Sequence, residues 1–288
     1  MSWTNATTYL SSVPRPLPPV GATRVGSVGR DPREVAGAWS AFQRFGRLEP
    51  APDLAAYVAG YWFAEWDLRD QPPYRQLTVP FPQVHLSFGY EPVPVIRGAT
   101  RTHVVRILSG AGRVFGVAFR PGCFRPFLGR PVSTITGRSL AACEVFGPHV
   151  PGTAIADADD ELAMVTVVEQ FLREHRPDVD PAADLAVAVV QRVVEDPSLT
   201  RVDTLAARVH VSIRQLQRLF SDHVGVSPKC VIRRYRLHEV SRRLDTGSAV
   251  DWGRLAAELG YSDQAHLTRD FTAVFGEPPT RHAQRYPT

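Results

Sequence analysis

The C-terminal third of the chain contains the same pattern twice. Residues 205–228 read L-A-A-R-V-H-V-S-I-R-Q-L-Q-R-L-F-S-D-H-V-G-V-S-P, and residues 255–279 read L-A-A-E-L-G-Y-S-D-Q-A-H-L-T-R-D-F-T-A-V-F-G-E-P-P. Leu205, Ala206, Ala207 and Ser212 recur fifty residues on as Leu255, Ala256, Ala257 and Ser262. Arg218, Phe220, Gly225 and Pro228 recur fifty-one residues on as Arg269, Phe271, Gly276 and Pro279. One residue has been inserted just after the shared serine. Any fold for this region must therefore build one small unit twice. In each copy L-A-A opens a short helix whose small residues let a second helix approach. Ser212 in one copy, and Ser262 or Asp263 in the other, can cap the next helix by accepting its free N–H groups. Leu216, Leu219 and Phe220, matched by Leu267 and Phe271, give that helix an apolar side. Gly225 and Gly276 fit a helix end, and Pro228 and Pro279 fit the first turn of a new helix. Short helix, turn, longer helix is a helix-turn-helix.

The polar side of the second helix in each unit is unusual. Arg214, Gln217 and Arg218 face outward in one, and Gln264, His266, Thr268 and Arg269 in the other. A merely solvated helix commonly mixes Glu with Lys, whereas these side chains suit phosphates and base edges. The charge distribution agrees. Of 33 basic and 29 acidic residues, 14 and 9 lie after residue 196, so the first 196 carry a slight acidic excess. Between the units, residues 228–244 read P-K-C-V-I-R-R-Y-R-L-H-E-V-S-R-R-L as one helix, roughly 25 Å long at 1.5 Å per residue. Such a spacer could set two readers about one turn of DNA apart. Arg233, Arg234, Arg236, Arg242 and Arg243 lie on it, some expected at phosphates and others in ion pairs.

Upstream the texture differs. Residues 1–45 are rich in Pro, Gly and Ser and read as a flexible tail. From residue 46 to about 150, short strand-like runs alternate with Pro and Gly punctuation: Y-W-F-A-E-W-D-L, R-Q-L-T-V-P, Q-V-H-L-S-F-G, T-H-V-V-R-I-L-S-G and V-F-G-V-A-F-R. That pattern suggests a β-sandwich or small barrel. Helical spacing returns near Asp157, and residues 151–180 read as a helical linker in which the stretch 160–174 is a candidate dimer contact. Residues 181–288 form the helical remainder. No apolar run approaches the roughly 18 residues of a membrane span, and no secretory signal is evident, so the expected location is the cytoplasm.

The double unit resembles the DNA-binding region of the AraC/XylS family of bacterial transcription regulators over about residues 182–286. The resemblance rests on L-A-A-R-V-H-V-S-I-R-Q-L-Q-R-L-F, on G-V-S-P-K-C-V-I-R-R-Y-R-L and on L-G-Y-S-D-Q-A-H-L-T-R-D-F-T-A-V-F-G-E-P-P. Two departures lie at packing positions. Val231 or Ile232 stands where the family has an aromatic residue, and the family's aromatic near residues 281–283 is missing. By this resemblance Ser212, Arg214, Gln217, Arg218, Gln264, His266, Thr268 and Arg269 are the DNA-binding residues. R-V-F-G-V-A-F-R-P-G-C-F-R-P-F-L-G-R-P looks like a segment of family members with a β-rich, cupin-like sensor. The implied fold is α+β: an N-terminal small β-barrel or cupin-like domain and a C-terminal all-α double helix-turn-helix domain. The implied partners are double-stranded DNA, RNA polymerase, a small-molecule effector and a second copy of the chain. Trp62, Trp66, His85, Phe88, Phe115 and Arg120 are candidates to line an effector pocket.

An enzyme is the rival class. The chain has no G-x-S-x-G, P-loop or H-E-x-x-H, and no cofactor motif is apparent. Cys123, Cys143 and Cys230 include no C-x-x-C pair, and His85 and His103 stand without a ligand cluster, so neither a metal nor a catalytic residue is expected. Cys123, near Arg120 and Arg125, is the one candidate nucleophile, and it would need a lowered thiol pKa. A third reading is a constitutive DNA binder whose N-terminal domain only dimerises.

Overall fold

The computed structural model describes residues 31–35, 37–245 and 250–285, so the Pro-rich stretch 1–30, most of the expected tail, lies outside them. Two 3-10 turns, Pro32–Glu34 and Ala38–Ala41, lead into the first strand. The strands are β1 (Gln43–Leu48), β2 (Val58–Leu68), β3 (Tyr74–Thr78), β4 (His85–Phe88), β5 (Val95–Arg97), β6 (Val104–Leu108), β7 (Gly110–Phe119) and β8 (Ser139–Ala141). Short helices α1 (Arg125–Leu128), α2 (Cys143–Phe146) and α3 (Gly152–Ala156) precede α4 (Glu161–Glu174).

Six strands form one antiparallel sheet in the order β1-β2-β7-β4-β5-β8, and β3 pairs only with β6 in a separate ribbon. The sheet does not close, which corrects the barrel or cupin-like expectation. Among the described residues β1 bonds only to β2 and β8 only to β5, so no strand there joins the two edges. Strand patterning fixes which side chains share a face, but closure depends on stagger and tilt between the first and last strands, which alternation does not encode.

The two faces of the sheet differ. In register, Phe63, Phe115 and Phe88 lie side by side on three adjacent strands, as do Tyr61, Val117 and Leu86. These six are buried together with Met164, Val168, Phe171 and Leu172 of α4. The apolar side of α4 thus lies against the chain's own sheet, while Leu162 at its start is exposed. On the opposite face the rings of Trp62 and Trp66 lie flat over Gly116 and Gly112, where a β-carbon would overlap the indole.

The helical part comprises α5 (Pro181–Glu195), α6 (Val202–Arg208), α7 (Ile213–Leu219) with a π turn over Phe220–Val224, α8 (Pro228–Asp245), α9 (Trp252–Glu258), α10 (Gln264–Phe275) and α11 (Pro279–Ala283). The first unit packs with α5 and the start of α8 around Leu205, Leu216, Phe220 and Val231. The second packs with the later part of α8 around Leu237, Leu255, Leu267 and Phe271. Each cluster also takes in a residue of the β-rich part, Ala99 in the first and Val79 in the second.

Candidate nucleic-acid interface

The two units are built alike at the turn. After α6, the N–H of Val211 donates to Ala206 O at 3.1 Å and that of His210 to Ala207 O at 3.3 Å. After α9, Tyr261 and Gly260 donate in the same way to Ala256 O at 2.8 Å and Ala257 O at 3.0 Å. This bond pair ends a helix around one left-handed residue, and His210 (φ 55°) and Gly260 (φ 71°) occupy that position.

The next helix of each unit then starts on a cap. In α7 the Ser212 Oγ accepts from Gln215 N–H at 3.2 Å, and the Gln215 side chain accepts in return from Ser212 N–H at 2.8 Å. This capping box takes the Gln215 side chain, a role the sequence reading missed although S-x-x-Q is its pattern. In α10 the cap is Asp263, which accepts from His266 N–H at 2.7 Å and from Ser262 Oγ at 3.1 Å. The His266 backbone bond, then the Ser262 bond, hold the Asp263 carboxyl below its usual range.

Leu216 and Leu267 turn inward with no exposure, which leaves the opposite faces to solvent. Ser212, Arg214, Gln217 and Arg218 are exposed on α7; Gln264, His266 and Arg269 are exposed on α10, with Thr268 half-buried. Ile213 is also 45% exposed beside Arg214, an apolar group the sequence reading left out of the surface. Among the described residues no carboxylate lies within ion-pair distance of Arg214, Arg218 or Arg269; Arg269 Nε donates to the Ala265 carbonyl of its own helix at 3.3 Å, and its charge acts on Asp263 only from further off. His266 packs edge-on against Tyr261, with ring centres 5.1 Å apart.

The arginines of α8 behave differently, although the sequence makes them the densest basic stretch. Arg233 pairs with Asp270 at 2.9 Å. Arg236 donates to Leu259 O at 2.7 Å and lies over the Tyr261 ring. Arg242 and Arg243 pair with Glu239, and Arg243 also with Glu258. Arg234 is 1% exposed and donates to Pro80 O at 2.9 Å and Thr100 O at 3.2 Å, so it ties α8 to the β-rich part. Burial pulls its pKa down to about 10, which leaves it charged at neutral pH. All five side chains thus have partners within the chain.

The candidate effector residues lie in three places. Phe88 and Phe115 are in the core beneath α4. Trp66 and His85 belong to the opposite face, where Trp62 Nε1 donates to His85 Nδ1 at 3.2 Å. Burial, then the charges of Arg47 and Arg97, push the His85 imidazole down to about 4, so it is neutral near pH 7. Arg120 follows β7. Cys123 is 8% exposed, and burial raises its thiol to about 12 despite the opposing charge of Arg120. A nucleophilic cysteine needs the reverse.

Residues 205–285 match a family described as a helix-turn-helix domain, and residues 46–141 match a domain of unknown function (DUF6597). The HTH-type transcriptional regulator GbdR of Pseudomonas aeruginosa is 30% identical over 107 residues, which cover 37% of this chain and 28% of that protein. The HTH-type transcriptional activator RhaS of Pectobacterium carotovorum is 33% identical over 76 residues, 26% of this chain and 27% of that protein. The chain therefore spans less than a third of the curated relatives it matches. Among solved structures, ToxT from Vibrio cholerae O395 aligns with 84% of this chain and 96% of its own, at 8% identity and a TM-score of 0.42. The C-terminal third thus carries a helix-turn-helix domain, set beside a separate N-terminal β-rich domain. No helix among the described residues is long and apolar enough to cross a membrane.

Proposed function

We propose that this protein is a ligand-responsive transcription regulator that reads double-stranded DNA with α7 and α10. One observation carries the reading: the arginines of α8 are engaged inside the chain, whereas those of the two reading faces are left to solvent. Arg214 and Arg218 supply phosphate binding, which weakens as salt rises. Arg218 and Gln217, with Arg269, Gln264 and His266, supply contacts to base edges, worth about 1–3 kcal/mol of discrimination for a good bidentate pair. Ser212 acts at the helix start, and Thr268 and Ile213 offer methyl groups that suit thymine. The β-rich domain is the sensor in this reading. A homodimer and contact with RNA polymerase belong to the same reading.

The test is selection from a randomised duplex pool at two salt concentrations, with wild type beside Arg218→Ala and Arg269→Ala. Wild type should enrich a two-part motif with halves about one helical turn apart. Each variant should degrade one half only, with a loss of roughly tenfold or more at that half. Absence of any enriched motif at both salts would sink the reading.

A further inference from the structure

Segments 98–104 and 133–138 run side by side at the margin of the β-rich domain. Gly98 N–H donates to Arg138 O at 3.0 Å, and Gly137 N–H donates to Ala99 O at 2.9 Å. Beyond these two bonds the segments part and enclose an open groove of about 740 Å³. Its chemistry is one-sided. Arg101, His103 and Arg138 bring cationic or proton-donating groups, Thr102, Ser133 and Thr134 bring hydroxyls, and no carboxylate lines it. Among the described residues no carboxylate pairs with either arginine. His103 Nδ1 is buried and has no hydrogen-bond partner.

The walls of this groove are also the supports of the two reading units. The first wall carries Thr100, whose carbonyl accepts from Arg234 of α8. It also carries His103, whose ring lies so close to Gly276 that a β-carbon there would fall 2.9 Å from it. Gly276 is the residue that ends α10. The second wall carries Thr136, whose hydroxyl donates to Gly225 O, and Ser133, whose hydroxyl bonds Ser221 Oγ at 3.0 Å. Gly225 ends the π turn that continues α7. One wall therefore touches the end of one reading helix, and the facing wall touches the end of the other.

We propose that this groove binds a small multivalent anion carrying carboxylate or phosphate groups, and that occupancy sets the separation of the two reading helices. The two guanidinium groups, one on each wall, carry like charge, and one shared anion can bond both and draw the walls together. Closing the groove moves its walls, and each wall carries one helix end with it. The binding part stands on the groove alone; the effect on separation rests on α7 and α10 being the DNA readers.

The test uses the full chain, with citrate and pyrophosphate as probes and sodium chloride at matched ionic strength as the control. Calorimetric titration should give saturable one-to-one binding of at least one probe. Arg101→Ser with Arg138→Ser should weaken it by about tenfold or more, since charge-assisted bonds are lost, with the melting temperature in the absence of probe unchanged. Duplex selection repeated with the bound probe should shift the preferred spacing between the half-sites. No saturable binding, or binding that persists in the double variant, overturns the site. Binding without any change in DNA affinity or spacing overturns the coupling. If the double variant loses DNA affinity while neither probe binds the wild type, the arginines are DNA phosphate contacts and the proposal fails. Selection without probe tests the DNA-reading function separately.

Discussion

The two helix-turn-helix units have the same plan and differ in how they are held. Their caps, Ser212 and Asp263, stand fifty-one residues apart, as do the terminating glycines Gly225 and Gly276. Between cap and glycine, the positions of Ile213, Arg214, Gln215, Gln217 and Arg218 in the first unit are those of Gln264, Ala265, His266, Thr268 and Arg269 in the second. Only the arginine at the end of this series is common, so one scaffold presents two different side-chain surfaces. The packing beneath also differs. Just past the terminating glycine, the first unit has Val226, 2% exposed, where the second has Glu277, 5% exposed. Glu277 accepts from Arg285 Nε at 2.7 Å and meets His282 Nδ1 at 3.1 Å, and the His282 ring lies edge-on to Phe271. One unit is closed by apolar packing and the other by a buried charge network. A buried carboxylate is costly unless paired, and once paired it tolerates loss of a partner poorly.

The largest expected effect follows from that difference. Glu277→Ala takes the nearest carboxylate from Arg285, leaving it Glu34 at 3.7 Å, and the carboxylate from buried His282, and should cost about 3 kcal/mol in urea unfolding, whereas Val226→Ala removes only two buried methyl groups and should cost about 1–2 kcal/mol. Acid sharpens the contrast. Burial raises the Glu277 carboxyl, but hydrogen bonds from His282 and Arg285 outweigh it and hold the group down to about 2, against 4.5 for a free glutamate. A folded value below the unfolded one means stability that is present above pH 4.5 and is lost as pH falls from there towards 2. The wild type should show this loss, and Glu277→Ala should lack that part of it. Equal acid profiles would refute the assignment.

Parts of this architecture were legible in the sequence because their determinants are local. The repeat, the caps at Ser212 and at Asp263 or its neighbour, and the apolar spacing of Leu216 and Leu267 are all written within a few residues. The outward placement of Arg214, Gln217 and Arg218 follows from the same spacing. Closure of the sheet was not legible, because it depends on β1 and β8, nearly a hundred residues apart. Nor was the fate of the α8 arginines. A run such as R-R-Y-R looks the same whether its side chains meet phosphate, Asp270 or the carbonyls of Pro80 and Thr100. Those partners lie from 37 to 154 residues away in the chain. Contacts that cross from the helical part to the β-rich part leave no periodic trace.

The turn offers a second place to break the symmetry. Gly260 has φ 71°, and a β-carbon there would lie 2.9 Å from Thr200 Cγ2. Gly260→Ala therefore adds a close contact to the cost of a left-handed residue, together about 2 kcal/mol. The loss should appear in the unfolding free energy, and substituting Thr200→Ser in the same chain should recover part of it by removing the methyl group. A variant as stable as wild type would mean that the turn after α9 relaxes away from the left-handed conformation.

The smallest effect runs in the opposite direction and concerns the equivalent residue of the first unit. His210 holds φ 55° with an exposed side chain, so it bears the left-handed strain without evident packing in return. A β-carbon in that conformation crowds the following carbonyl, at about 1 kcal/mol, and His210→Gly removes it. Glycine also makes the unfolded chain more flexible, which offsets part of the gain. The net expectation is a first unit more stable by roughly 0.5 kcal/mol, measurable as slower hydrogen exchange of the α6 and α7 amides. If His210 instead contacts DNA from the turn, His210→Gly will lower DNA affinity while stability still rises. If stability falls, the imidazole makes a contact that holds the turn, and the two units differ there too.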